Sequence, residues 1–135
     1  MGDVSKRLRS EEGYRTHLYE DSEGWLSIGI GYNIEEKGLP PDIIEELFRR
    51  SVEEATADAA RLTEFADLSA ARQGVLIAMV FQMGLPKVRA FTKMLAALRS
   101  GDYQLAGAEM LDSVWANKQT PARAHREAEI MICGE

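Results

Sequence analysis

The sequence predicts an α+β fold: a small N-terminal lobe built on a β-hairpin, joined by a long helix to a mostly helical C-terminal lobe. Three observations predict it. Glycine-punctuated β-branched and aromatic residues are concentrated between Tyr14 and Ile34. After Pro41 the hydrophobic period becomes helical. Further on, the run GVLIAMVFQMG is apolar on every side and so belongs in the middle of a helical bundle. A chain of 135 residues fits a single domain, 1–135, because two independent domains would each have little core.

Taken in order, residues 3–12 form a short charged helix with Val4 and Leu8 on one face. The small lobe follows over about 13–40. Asp21-Ser22-Glu23-Gly24 reads as a turn between two short antiparallel strands, and Gly29 and Gly31 mark a bend or a close backbone approach. Lys37 to Pro41 closes the lobe. The long connecting helix is expected over about 42–62, where Ile43, Ile44, Leu47, Phe48, Val52, Ala55, Ala59 and Leu62 recur at three- and four-residue steps.

The helical lobe spans about 68–135 and takes in the N-terminal helix. Ser69 caps its apolar helix, Phe91 to Leu98 makes another stopped by Ser100-Gly101, and Tyr103 to Trp115 a third. Thr120 is placed to cap the last helix, with Pro121 in its first turn. A cleft between the lobes is the expected ligand site.

Composition narrows the function. Sixteen Lys and Arg against 22 Asp and Glu leave a net charge of -6, which argues against nucleic-acid binding. No apolar stretch is long enough to span a bilayer, so no membrane insertion is expected. The start, MGDVSKRLRSEEG, has no apolar core of a signal peptide. The single cysteine, Cys133, excludes an internal disulfide and a multi-cysteine zinc site, and His17 and His125 have no metal-ligand spacing. No metal or cofactor is expected. Nor is there a Ser-His-Asp, Cys-His or phosphate-loop pattern; Gly29-Ile30-Gly31 lacks the helix such a loop requires.

The acidic residues say more. Glu11 and Glu12 fall where the first helix ends, and Asp21 falls in the hairpin turn. A carboxylate at a helix end facing another on a neighbouring loop is the raw material of glycoside hydrolysis, one kept protonated and the other ionised. Ser27, six residues past Asp21, could orient a water. In a chain with 22 acids such a pair also arises by chance.

LRSEEGYRTHLYEDSEGWLSIGIGYNI resembles the N-terminal signature of the phage-type lysozymes, or endolysins: Glu-Gly, Tyr-x-Asp, a glycine, then a hydroxyl residue followed by Ile-Gly-x-Gly. The likeness continues through ELFRRSVEEA, MVFQMG, Phe91-Thr92, and Trp115 with Gln119-Thr120-Pro121-x-Arg123, and so runs along nearly the whole chain. The resemblance implies a lysozyme-like fold and a monomeric muramidase that cuts the β-1,4 bond between N-acetylmuramic acid and N-acetylglucosamine in bacterial peptidoglycan. By position Glu12 is its general acid, with Glu11 a solvated neighbour. Asp21 is the second carboxylate, and Ser27, where the family more often has Thr, holds the attacking water. Inversion at the anomeric carbon is expected. Asn33, Phe81, Gln82 and Arg123 are the expected substrate contacts; for Arg123 a structural salt bridge is an equal reading.

Departures from the family accompany the likeness. Tyr32 replaces a common histidine. The segment from Tyr32 to Pro41 is short, which is expected to remove a strand and a short helix. Asn33, Met94 and Glu109 stand where the T-even phage member has Leu, Ser and Asn. The resemblance further implies host-cell lysis by an enzyme made in the cytoplasm and released to the wall through a holin-like pore. The alternatives are a lysozyme-like module that binds glycan or a partner without cleaving, and a wall-degrading effector. Retention of Glu12, Asp21 and a hydroxyl at 27 favours the enzyme.

Overall fold

The computed structural model describes residues 2–135, which divide into two compact units, one ending at Glu46 and one comprising Leu47–Glu135. The fold is α+β: mostly helical, with one two-stranded antiparallel sheet.

In the first unit, α1 (Gly2–Glu12) leads through Gly13, at φ +76°, into β1 (Arg15–Glu20). The hairpin returns as β2 (Leu26–Gly29), pairing Glu20 with Leu26 and Tyr19 with Ser27; the register then slips before Arg15 meets Gly29. The turn forms where the Asp-Ser-Glu-Gly sequence predicts it. Gly24 N–H donates to the Asp21 carbonyl at 3.1 Å and Asp21 N–H to the Trp25 carbonyl at 2.8 Å.

The short segment after β2, expected to lack a strand and a short helix, carries little regular structure. It keeps a single bridge between Ile28 and Tyr32 and one turn of helix, α2 (Ile34–Lys37). Asn33 caps that turn by accepting from Glu36 N–H at 3.1 Å, and Glu35 ties it to the sheet by accepting from Leu26 N–H at 2.8 Å. Tyr32, in the place of the family's histidine, donates its hydroxyl to the Gly38 carbonyl at 2.5 Å.

The division between units falls within α3 (Pro41–Ala59), which ends three residues before Leu62. Leu62 is still buried, because the chain goes on in tight turns closed by Leu62 N–H to Ala59 and Phe65 N–H to Leu62. The apolar face of α3 is unevenly used. Ala55 and Ala59 are buried, whereas Ile43, Ile44, Leu47 and Phe48 are 43–55% exposed.

The core of the second unit surrounds α4 (Ala70–Met83), whose Val75, Leu76, Met79 and Val80 are buried. Ser69 caps it, accepting from Arg72 N–H. Around it lie α5 (Leu85–Arg89), α6 (Thr92–Arg99), α7 (Tyr103–Leu111) and α8 (Pro121–Cys133). Arg72 secures the end of α8: its guanidinium donates to the carbonyls of Met131 at 2.8 Å and Ile132 at 3.1 Å and stacks 3.5 Å from the Tyr103 ring.

Two helix boundaries differ from the sequence expectation. The helix begun at Tyr103 stops at Leu111 instead of reaching Trp115, which starts a separate π-helical turn, Trp115–Gln119. The Ser113 hydroxyl causes the break: it donates to the Met110 carbonyl at 2.7 Å and accepts from Ala116 N–H at 3.1 Å, replacing ladder bonds with side-chain ones. Thr120 does precede α8, yet its hydroxyl makes no cap. It accepts instead from Gln82 Nε2 at 3.1 Å.

Two helical glycines give opposite expectations for one substitution. At Gly107 an added Cβ would lie 2.5 Å from Ile132 Cγ1 and 3.2 Å from the Ala128 carbonyl, so α7 and α8 meet there only without a side chain. Gly74, in α4, has open space. Chemical denaturation should show Gly107→Ala less stable by about 1–3 kcal/mol and Gly74→Ala more stable by about 0.5–1 kcal/mol.

Candidate active site

The three residues expected to carry the chemistry all fall in the first unit. Asp21 follows β1 directly, and the turn that begins there fixes its carboxylate. Its Oδ1 accepts the backbone N–H groups of Glu23 and Trp25, both at 2.9 Å. This is an Asx turn, in which a short carboxylate side chain holds the backbone ahead of it. No described residue hydrogen-bonds Oδ2, so the second oxygen remains available.

Ser27 stands in β2 opposite Tyr19 and is only 2% exposed. Among the described residues no backbone or side-chain group bonds its hydroxyl. Since no fully buried side-chain oxygen or nitrogen among the described residues lacks a partner, the Ser27 oxygen keeps a small opening to solvent, through which it can hold a water or a substrate group.

Glu12 is the last residue of α1, placed there because Gly13 turns the chain into β1 and closes the helix by donating its N–H to the Arg9 carbonyl at 3.2 Å. Its side chain does not simply extend into solvent. It lies against the backbone of Gly31, where a Cβ would come within 2.6 Å of Oε2. Glu11 beside it is exposed, as is Glu12 itself. The first unit therefore holds a carboxyl resting on the turn after β2, a carboxylate anchored by one oxygen, and a hydroxyl on a buried residue without a protein partner. Together these groups can supply a proton, an anion and a site for a water.

The remaining expected residues lie elsewhere. Asn33 is spent on α2: beyond its cap, its amide donates to Glu36 Oε2 at 3.2 Å. Phe81, in the second unit, is 42% exposed and packs edge-on against Phe48 with ring centroids 6.0 Å apart. Gln82 bridges two partners within that unit, accepting from Trp115 Nε1 at 2.9 Å and donating to Thr120. Arg123 is half-buried in α8. One turn on, burial pushes the Glu127 carboxyl above its ordinary pKa, while Arg123 and Arg126 pull it the other way.

The second unit also holds a cavity of about 560 Å³, lined in part by motif residues Met83, Phe91, Thr92, Trp115 and Gln119 and by the departures Met94 and Glu109. Met83, Phe91, Met94 and Trp115 give it an apolar lining, and Lys87, Lys93, Glu109 and Asp112 add charge of both signs. These residues come from four helices and the π-helical turn, so only packing assembles them. Gln119 joins them, whereas Phe81, Gln82 and Arg123 do not.

A fold of this kind, with two carboxyl groups and a hydroxyl in its hairpin unit, fits a known class. The profile of the phage lysozyme family matches residues 9–129, and the chain belongs to that family, which places it among lysozyme-type glycoside hydrolases. Particular relatives follow. The pre-baseplate central spike protein Gp5 of Enterobacteria phage T4 is 31% identical over 160 residues, a match covering 97% of this chain but 28% of the spike protein. Two probable T4-type lysozymes of Dictyostelium discoideum are 27% and 26% identical, each match covering 99% of this chain and 96% of the relative.

The Gln82 bridge gives a test of its role. Gln82→Ala leaves the Trp115 indole N–H without its partner in a buried position, so stability should fall by about 1–3 kcal/mol. Gln82→Glu keeps an acceptor for the indole and should recover part of the loss in the same denaturation assay.

Proposed function

We propose that this chain is a muramidase that hydrolyses the β-1,4 bond between N-acetylmuramic acid and N-acetylglucosamine in bacterial peptidoglycan, with inversion at the anomeric carbon. One observation carries the reading: the Glu12 carboxyl laid on the backbone of the turn at Gly31, in the same unit as the turn-anchored Asp21 and the Ser27 hydroxyl without a protein partner. Glu12 donates a proton to the leaving glycosidic oxygen. Asp21, with Oδ1 held by two backbone donors, turns its free oxygen to the positive charge that builds on the sugar and helps to activate water. Ser27 holds that water.

We further propose that the enzyme acts as a monomer without metal or cofactor. Its role would be host-cell lysis, with release from the cytoplasm to the wall through a holin-like pore. A second setting for the same chemistry is favoured by the likeness to the T4 spike protein: a wall-cutting part of a larger assembly. Purified protein added to intact cells and to permeabilised cells separates the two. Lysis only after permeabilisation fits release from within.

Glu12→Gln should abolish clearing of a cell-wall suspension while far-UV circular dichroism stays unchanged, and Glu11→Gln should cost little. Equal losses for the two would refute the assignment within the pair. NMR of the first product should show an inverted anomer, consistent with carboxyl groups roughly 6.5–9.5 Å apart; a retained one would rule out the water-mediated step. Ser27→Thr should keep activity and Ser27→Ala should lose it, since only the hydroxyl is required.

A further inference from the structure

We propose that Gly31 is a positioning residue for the reaction, because the absence of its side chain creates the seat for the Glu12 carboxyl. The inference rests on the reading of Glu12 as the acid. Gly31 has φ +71°, but left-handed backbone does not distinguish it: Gly29, two residues earlier, has φ +72°. What distinguishes them is the space where a side chain would go. A Cβ at Gly29 would meet nothing within 4 Å. At Gly31 it would lie 2.6 Å from Glu12 Oε2, 2.7 Å from Cδ and 2.9 Å from Cγ. Ordinary contact between heavy atoms is about 3.5–4.0 Å, so the carboxyl and a methyl group cannot both occupy that place.

Which group yields is decided by stiffness. The Gly31 backbone is held close by, since the adjoining Tyr32 exchanges both backbone hydrogen bonds with Ile28, at 2.9 and 3.1 Å. Glu12 is exposed at the end of its helix and has rotatable bonds that let it swing away. A methyl group at position 31 therefore displaces the carboxyl by an ångström or more and leaves the fold in place. Misplacement of a reacting group on that scale costs on the order of 100-fold in rate. The second glycine of Ile28-Gly29-Ile30-Gly31 thus serves the acid, and the first serves the backbone alone.

The test compares Gly31→Ala with Gly29→Ala on soluble, uncross-linked peptidoglycan chains, measuring kcat, KM and thermal melting. Both variants carry the same left-handed strain, so their melting temperatures should fall by similar amounts. Gly31→Ala should lose about 100-fold in kcat with KM within about twofold, and Gly29→Ala should stay within a few-fold of wild type in both. A coupling measurement adds a readout that strain does not move. Glu12→Asp, one methylene shorter, draws the carboxyl back from position 31. It should cost activity in the wild-type background and cost none, or restore some, in Gly31→Ala.

Equal kcat for the two glycine variants would overturn the proposal, as would the same Glu12→Asp loss in both backgrounds. A Gly31→Ala protein that fails to fold would overturn it too, since the backbone rather than the carboxyl would then be what gives way. The underlying reading fails separately, if Glu12→Gln remains active. With Glu12→Gln inactive and Gly31→Ala matching Gly29→Ala, only the positioning role falls.

Discussion

The second unit depends on the burial of α4. With one cysteine in the chain, no internal disulfide can contribute, and the helical bundle rests on apolar contact around Val75, Leu76, Met79 and Val80. Each such side chain stabilises the folded state by about 1.5–3 kcal/mol when fully buried. Methionines at 79, 94, 110 and 131 supply much of the interior, and their unbranched side chains fill gaps between helices that meet at varied angles. The polar exits from this core are few and each is paired. Gln82 satisfies the Trp115 indole and the Thr120 hydroxyl, and Arg72 satisfies the last carbonyls of α8. The bundle can therefore keep polar groups inside without leaving buried donors unpaired.

The first unit is held by different means. None of the residues of α1 or α2 is buried, and the two-stranded sheet is short. What defines it are local hydrogen bonds: the Asp21 turn, the Glu35 link to Leu26, the Asn33 cap and the Tyr32 hydroxyl on Gly38. A hairpin on its own is marginal, so these contacts matter more here than their number suggests. The same economy joins structure to chemistry. Asp21 both makes the turn and offers its second oxygen. Gly31 both bends the chain and leaves room for Glu12.

The division between legible and illegible features follows the range of the interaction. The hairpin turn, the Ser69 cap, the helical period after Pro41 and the stop at Ser100-Gly101 are decided by neighbours within a few residues, so their residues announce them. The glycines at 29 and 31 were legible as a bend or a close approach. Which of the two makes the approach was not, because Glu12 lies 19 residues from Gly31 and only the folded unit brings them together. Glu12, Asp21 and Ser27 were singled out from spacing and from likeness to the lysozyme signature; their burial and hydrogen bonds came from the fold.

By itself, then, the sequence determined the fold class and the membership in the phage lysozyme family, since periodicity, turn chemistry and collinear motifs are written locally. Tertiary structure decided what those patterns meet. It ended α7 at Leu111, because the Ser113 hydroxyl found the Met110 carbonyl. It gave Thr120 to Gln82 instead of to its own helix, and gathered Met83, Phe91, Lys93 and Glu109 around one cavity. It also left Ile43, Ile44, Leu47 and Phe48 exposed on a helix whose period alone would bury them. A period of 3.6 says which residues share a face; only the packed chain says what lies opposite that face.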